Sequence, residues 1–372
     1  MNTIVVILIE VSAAIYFCYC LIHFDVFIFG FGRTFLRKNA DLPFLRLFRK
    51  KIIVNMAHGS ELRPPYIDGS FQSLDGLKQP TVNQLKYIAY SHKKKIIKFE
   101  KYADYIIGAP FSSTHFACKK LINWFAIGVP YCEKQGFSTT KYQEGFASST
   151  SNISNSIRIL HSPSHPAVKG SSFIRQSIQS LQYRGYDIEF VEIQGRSNQE
   201  VLKELQKCDF VVDQLYSDTP MAGFATEAAW FGKPSVVGGY GFGYLQKFIP
   251  TGMLPPSKIC YPKQIEAAIE ELILNQKLRL QLGAEAQAFV RNYWSAEKVA
   301  ERYLRLISGN IPDDWWLDPN EVIYLHGCGQ SELQSAENIR RMVKTYGHKS
   351  LRLSHRPDLE KAFLEFAGLE ST

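Results

Sequence analysis

Short β-branched runs alternate with helical periodicity along most of this chain. In the N-terminal half, Phe24–Phe29, Lys51–Met56 and Ala103–Gly108 read as buried strands. In the C-terminal half, Ile157–Leu160, Asp187–Glu192, Asp209–Asp213 and Ser235–Val237 repeat the pattern. Between them Phe173, Ile174, Ile178 and Leu181 recur at helical spacing, and Gly185 supplies the stop. Ser197 with Glu200 forms a capping box that opens a helix through Val201, Leu202 and Leu205. Longer helical patterns run through Ile265, Ile269, Leu272 and Leu278, and another begins near Ser295. Strands separated by crossover helices indicate parallel sheets covered on both faces, so the expected fold class is α/β.

Residues Thr139–Ser156 are rich in Ser, Thr, Asn and Gly and read as a linker. The chain therefore divides into an N-terminal domain over 1–145, a second domain over 146–310 and a helical tail over 311–372 that packs back on the first. Val322–Leu325 reads as one more strand in that tail, near Trp315 and Trp316. No internal repeat of solenoid length is evident.

The run from Ile4 to Ile22 is apolar apart from Glu10 and a few small or hydroxyl residues. It lacks the basic start and small-residue cleavage site of a signal peptide, and the first basic cluster is Arg33, Arg37 and Lys38. Glu10 near the middle of a span is costly. The run reads first as a buried core segment, with a membrane-embedded anchor as the other reading.

At 372 residues, 45% hydrophobic and 21% charged, the chain carries material for two cores. Its net charge of +8 favours anionic partners, among them nucleotides and an acidic membrane face; a generally basic surface is the plainer reading. No aromatic–basic motif accompanies the charge, so nucleic acid is not expected as a partner. The seven cysteines are widely spaced without a C-x-x-C pair, which points to reduced thiols and a cytoplasmic setting.

Candidate chemistry lies in loops beyond the carboxyl ends of strands, where open α/β sheets bind ligands. Lys169 follows the strand Ile157–Leu160 and precedes a helix, so its ammonium and the helix N-terminus both suit phosphate. Glu227 sits in the first turn of a later helix entered through Gly223; a carboxylate there can accept from both hydroxyls of a ribose. Ala225, Ala228, Ala229 and Trp230 make that helix mostly apolar, where an unpaired glutamate is expensive. Each residue has an alternative: a solvated lysine, and a glutamate favoured by the helix dipole.

His58, among Gly59, Ser60, Glu61 and Arg63, is a candidate base, and Arg63 a candidate partner for an acidic acceptor or a diphosphate. His58 capping its own loop is the alternative. His161 and His165 are as suited to structuring their loop as to binding. No Asp-x-Asp metal pair, G-x-x-x-x-G-K-[ST] loop or G-x-S-x-G elbow occurs, so neither metal nor cofactor is expected. Gly239–Gly243 lacks the dinucleotide spacing and reads as a flexible loop near the ligand.

These stretches resemble the C-terminal half of a two-Rossmann-domain (GT-B) glycosyltransferase of the "glycosyltransferases group 1" family. His161 to Lys169-Gly170 resembles its first C-domain loop, and Asp209 to Gln214 its strand before the donor site. Gly223 through Glu227 to Gly232-Lys233-Pro234 resembles its donor helix, and His58–Arg63 more weakly an N-domain loop. The resemblance implies two Rossmann-like domains facing across a cleft, and metal-independent, retaining transfer from a nucleotide-diphosphate sugar to a saccharide or lipid-linked acceptor.

By that resemblance His161, Lys169, Gly170, Gln214, Thr219, Gly223 and Glu227 line the donor site, and His58 and Arg63 are catalytic. Surface polysaccharide synthesis at the cytoplasmic membrane face, with peripheral contact to anionic lipid, is the implied setting. Two departures stand out. The first glutamate of the family's E-x7-E pair is Thr219 here, with Asp218 beside it as a substitute. Met1–Ile22 offers no Gly-rich loop, so the N-terminal domain is expected to be incomplete. An epimerase of the same fold and a non-catalytic sugar- or nucleotide-binding homologue are the alternative functions.

Overall fold

The computed structural model describes residues 3–123, 156–250 and 252–370. The linker expected from Thr139 onward, the boundary at 145–146 and Cys132 lie outside the described residues. Two five-stranded sheets form two α/β bodies. The N-terminal body holds α1 (Thr3–His23), β1 (Val26–Gly30), α2 (Leu42–Leu47), β2 (Lys51–Asn55), α3 (Val82–Tyr102), β3 (Tyr105–Ile107), α4 (Pro110–Ser113) and β4 (Leu121–Ile122). The C-terminal body holds β5 (Ile157–His161), α5 (Pro166–Lys169), α6 (Ser171–Tyr183), β6 (Ile188–Glu192), α7 (Asn198–Lys207) and β7 (Phe210–Ser217). It continues through α8 (Gly223–Trp230), β8 (Ser235–Gly239), α9 (Phe242–Leu245), β9 (Lys258–Cys260), α10 (Ile265–Leu274) and α11 (Gln276–Tyr293). After α12 (Ala296–Ser308) come β10 (Trp316–Leu317), α13 (Glu332–Tyr346) and α14 (Pro357–Phe366).

The two strand orders differ in a way that places the site. The C-terminal sheet runs β6-β5-β7-β8-β9, all parallel, so its order reverses at β5. The loops after β5 and β7 therefore diverge and leave a crevice between them, the usual ligand position in a doubly wound sheet. The N-terminal sheet runs β1-β2-β3-β4, parallel and without reversal, and closes with antiparallel β10. It is one winding of a doubly wound sheet.

Alternation along the strands builds the cores. In β2, Ile52 and Val54 face a cluster with Leu85 and Ile96 of α3, while Ile53 faces Leu306 of α12. In the second sheet, Leu160 and Val211 face α7, α8 and α11, and Ile159 and Phe210 face α6 and α10. Ile339 and Met342 of α13 and Leu359 and Phe363 of α14 complete the N-terminal core. The return to that body begins within α12, whose Tyr303, Leu306 and Ile307 cover Ile53, Ile107 and Ile122.

Three expectations are corrected. The apolar N-terminal run is not core: α1 is one helix, and only Phe17 and Cys20 of its described side chains are buried. No helix among the described residues is long and apolar enough to cross a membrane. Val322–Leu325 forms no strand, because its carbonyls serve side chains: Val322 accepts from Arg356 Nη2 at 3.1 Å and Tyr324 from His115 Nε2 at 2.7 Å. The ladder residues are Trp316 and Leu317 instead, against Ile122 and Leu121. Gly239–Gly243 is no flexible loop. Gly239 ends β8, where an added Cβ would lie 2.3 Å from the Ser217 carbonyl oxygen, and Gly241 (φ 75°) opens α9.

Two buried histidines tie this fold together and set its acid response. Burial lowers His115 to about 3, and burial with Lys95 nearby lowers His92 to about 4. The unfolded chain takes up protons near 6.5 that the native state refuses, so stability is complete above that pH and is lost as pH falls towards about 3. The expected outcome is a urea midpoint flat above about pH 7 that drops between about pH 6.5 and 3, with about 3 kcal/mol from His92 alone lost by about pH 4. A pH series of urea melts checks this, with His92→Gln reducing the slope.

Candidate functional site

The loop after β2 builds the N-terminal side of the site. His58 Nδ1 lies 3.0 Å from Glu61 Oε1, whose second role is to accept from the His58 amide at 3.1 Å. Phe31, held at φ 55° after β1, stacks on the His58 ring at 3.9 Å. Burial raises the Glu61 carboxyl, but the hydrogen bonds from His58 outweigh it and leave it below its ordinary value. His58 is thus fixed to its own loop through both backbone and ring.

Arg63 ends the same loop and crosses to the other body. Its Nε donates to Asp218 Oδ2 at 3.0 Å and its Nη1 to Asp68 Oδ2 at 3.1 Å. Arg63 is 5% exposed and Asp68 2%. Burial works against the guanidinium, but Asp218 and Asp68 outweigh it and hold its pKa well above the ordinary value. The His92 ring donates to the Arg63 carbonyl at 3.1 Å and steadies the loop from α3. Asp218, expected from the resemblance as a stand-in for the missing glutamate, is bonded to Arg63 instead.

On the C-terminal side, Lys169 is the last residue of α5, directly before Gly170 (φ 72°). An added Cβ at Gly170 would lie 2.5 Å from Leu215 Cβ, so glycine is required there by packing as well as by φ. Lys169 Nζ donates to Asp213 Oδ1 at 2.8 Å, while the buried Asp213 Oδ2 has no partner among the described residues. An ammonium has three donors, so the Asp213 bond aims Lys169 and leaves others for a ligand.

The remaining residues divide in two groups. His161 is fully buried, with Nδ1 on the Val212 carbonyl at 2.7 Å and Nε2 on Ser171 Oγ at 2.7 Å, and it joins β5, β7 and α6 from inside. Gln214 is buried and donates to Ser217 Oγ at 2.5 Å, which in turn accepts from the Thr219 amide at 3.1 Å. These bonds shape the irregular end of β7. Gly223 is exposed and has open space where a Cβ would be. It starts α8, whose N-terminus carries no side-chain cap at Ala222. Glu227, one turn on, is half-buried and accepts from Asn198 Nδ2 at 3.0 Å, so the mostly apolar helix does not leave it unpartnered.

Arg63 meets Asp218 just after β7 and Lys169 meets Asp213 within β7, so the two cations reach the same stretch of chain from different bodies. Burial pushes the Cys328 thiol up to about 12, and Arg63, Asp218, Asp68 and Lys169 all act on it electrostatically. Asp68, Asp213 and Cys328 are members of this cluster that the sequence did not single out. Arg63 and Asp218 stand 155 positions apart, beyond any local spacing signal. Beside the cluster, a cleft of about 560 Å³ opens at the ends of β7 and β8, with Leu215, Tyr216, Tyr240 and Phe173 in its wall. The Tyr240 ring stacks between Tyr216 at 6.3 Å and His326 at 5.1 Å. No group of three or more His, Cys, Asp or Glu is placed to hold a metal among the described residues.

No protein-family model matches the chain, and no curated protein matches it in sequence. Among solved structures it is similar to Anabaena HepE in complex with UDP-glucose: 12% identity, 80% of this chain and 82% of that one, TM-score 0.47. It is also similar to the catalytic domain of starch synthase IV from Arabidopsis thaliana bound to ADP and acarbose: 13% identity, 80% and 76% coverage, TM-score 0.46. A UDP-forming trehalose-phosphate synthase from Burkholderia xenovorans gives 12% identity, 77% and 75% coverage and TM-score 0.44.

Arg63 between two buried carboxylates carries a stability prediction. Arg63→Ala leaves Asp68 and Asp218 buried without a counter-charge and is expected to cost about 3–5 kcal/mol. Arg63→Ala with Asp218→Ala is expected to cost less than the two single changes added. Urea unfolding of the three variants measures that coupling.

Proposed function

We propose that this chain is a glycosyltransferase that takes its sugar from a nucleotide diphosphate bound in the crevice between the β5 and β7 loops. One observation carries the reading. The lysine of one loop and the uncapped N-terminus of α8 from the other flank the point where the strand order reverses. Two sources of positive potential at a switch point suit a diphosphate, and they can stabilise it as a leaving group without a metal. Glu227 would then accept from the ribose hydroxyls, exchanging or sharing its Asn198 bond. Arg63, which reaches Asp218 from the other body, and His58 of the same loop would then lie on the side from which a saccharide or lipid-linked acceptor enters. Retention at the sugar, surface polysaccharide synthesis and a cytoplasmic site of action belong to the same proposal and rest on the sequence resemblance.

A non-catalytic nucleotide-binding role is the second reading. It draws on the pairing of Lys169 with Asp213 and of Arg63 with Asp218.

The test is titration calorimetry of the full chain with UDP, ADP and GDP, followed by product analysis with their sugars. Lys169→Ala should weaken diphosphate binding roughly ten- to a hundredfold, the value of a charge-assisted hydrogen bond. Glu227→Gln should erase the preference for a ribose over a 2′-deoxyribose diphosphate. Unchanged affinity in both variants overturns the site. Diphosphate binding with no sugar transfer and no release of nucleotide favours the second reading, and release of an epimer without acceptor identifies an epimerase.

A further inference from the structure

α1 is exposed where a helix of its composition should be covered. Val5, Leu8, Ile9, Val11, Ile15, Tyr16, Tyr19 and Ile22 are each between 43% and 77% exposed. Among the described side chains burial begins at Ala13, and Phe17 and Cys20 seat the second half of the helix on the body. The outward face is apolar, the reverse of a helix on the surface of a soluble domain. Glu10 is the only Asp, Glu, Lys or Arg in the helix, and Arg37 lies 3.5 Å from it.

The apolar surface continues past α1. Phe17 touches Phe44 of α2 at 6.5 Å between ring centroids, and Phe44, Leu47 and Phe48 are all more than half exposed. A basic flank adjoins it. No Lys or Arg precedes Arg33, and residues 24–51 then contain Arg33, Arg37, Lys38, Arg46, Arg49, Lys50 and Lys51 against Asp25 and Asp41. Arg46, Arg49, Lys50 and Lys51 with Asp104 line a groove of about 430 Å³.

We propose that α1 docks this protein on an anionic lipid bilayer, its projecting half in one leaflet and the basic flank on the headgroup phosphates. Length agrees with a single leaflet. Residues 5–15 of a helix rise about 16 Å, roughly half of a hydrocarbon core of about 30 Å. Tyr16 and Tyr19 follow directly, at the depth where amphipathic rings settle. Apart from Glu10, which Arg37 meets at 3.5 Å, the projecting half is uncharged and selects hydrocarbon, and the adjacent positive charge selects an anionic surface. This inference stands on α1 and its flank and is independent of the proposed transfer reaction.

Vesicle sedimentation of the full chain tests it. The probes are phosphatidylcholine vesicles alone and with a third of phosphatidylglycerol. The protein is expected to sediment with the anionic vesicles and to be released by high salt. Leu8→Asp with Ile15→Asp alters only exposed positions and should lower binding at least tenfold with an unchanged circular dichroism spectrum. Lys38→Glu with Arg49→Glu should lower it by roughly fivefold or more per position while sparing residual binding to neutral vesicles. Absence of the wild type from the anionic pellet overturns the proposal. So does a dimer that Leu8→Asp with Ile15→Asp converts to monomer while vesicle binding is unchanged, since α1 would then be covered by a second copy.

Discussion

One buried cation holds the two bodies in register. Arg63 leaves the N-terminal sheet at the end of the β2 loop and inserts between Asp68 of its own body and Asp218 of the other. A guanidinium in that position is stable only while both carboxylates face it, so the loops that carry them are fixed together. The surrounding contacts depend on the same closure. The segment around Gly327–Gly329 threads between the bodies: Gly69 donates its amide to the Cys328 carbonyl at 2.8 Å, and Gly329 donates to that of Tyr216 at 2.8 Å. An added Cβ at Gly327 would lie 1.7 Å from the Ile67 carbonyl oxygen, so that position admits no side chain. Phe111 of the N-terminal body, Tyr324 of the strap and Val237 and Phe242 of the C-terminal body then share one apolar cluster.

The closure brings a hydrogen-bond-rich cluster of paired charges, Arg63 and Lys169 with Asp68, Asp213 and Asp218, to the carboxyl end of β7. Lys169 is held by the buried Asp213, and Arg63 by the buried Asp68 and by Asp218. Such pairing aims a cation without neutralising all of its donors. It also means that any anionic ligand competes with, or adds to, a bond already made. Affinity at this site is set by that exchange as much as by the charge itself.

The parts of the fold that were legible in the sequence are those with strong local period. The β1, β2, β5, β6, β7 and β8 strands and the Ser197–Glu200 capping box follow directly from alternation and cap chemistry. The two-residue strands β4 and β10 are too short to carry a period, and their pairing is set by tertiary contact. The apolar run of α1 shows why hydrophobicity predicts that a segment will be covered but not what covers it. At the site, Lys169 and Glu227 were visible because strand–loop–helix order positions them. Asp218 could be seen as a candidate, but its partner Arg63 lies in the other half of the chain. The internal roles of His161 and Gln214 depend on Val212, Ser171 and Ser217, contacts that only the folded sheet creates.

Hydrogen exchange of the full chain with and without a nucleoside diphosphate tests the central claim most directly. The account predicts slowed exchange confined to two segments, the loop and helix start at 162–171 and the entry to α8 at 221–227, in the presence of at least one of UDP, ADP or GDP. Unchanged exchange in both segments with all three at millimolar concentration would contradict it.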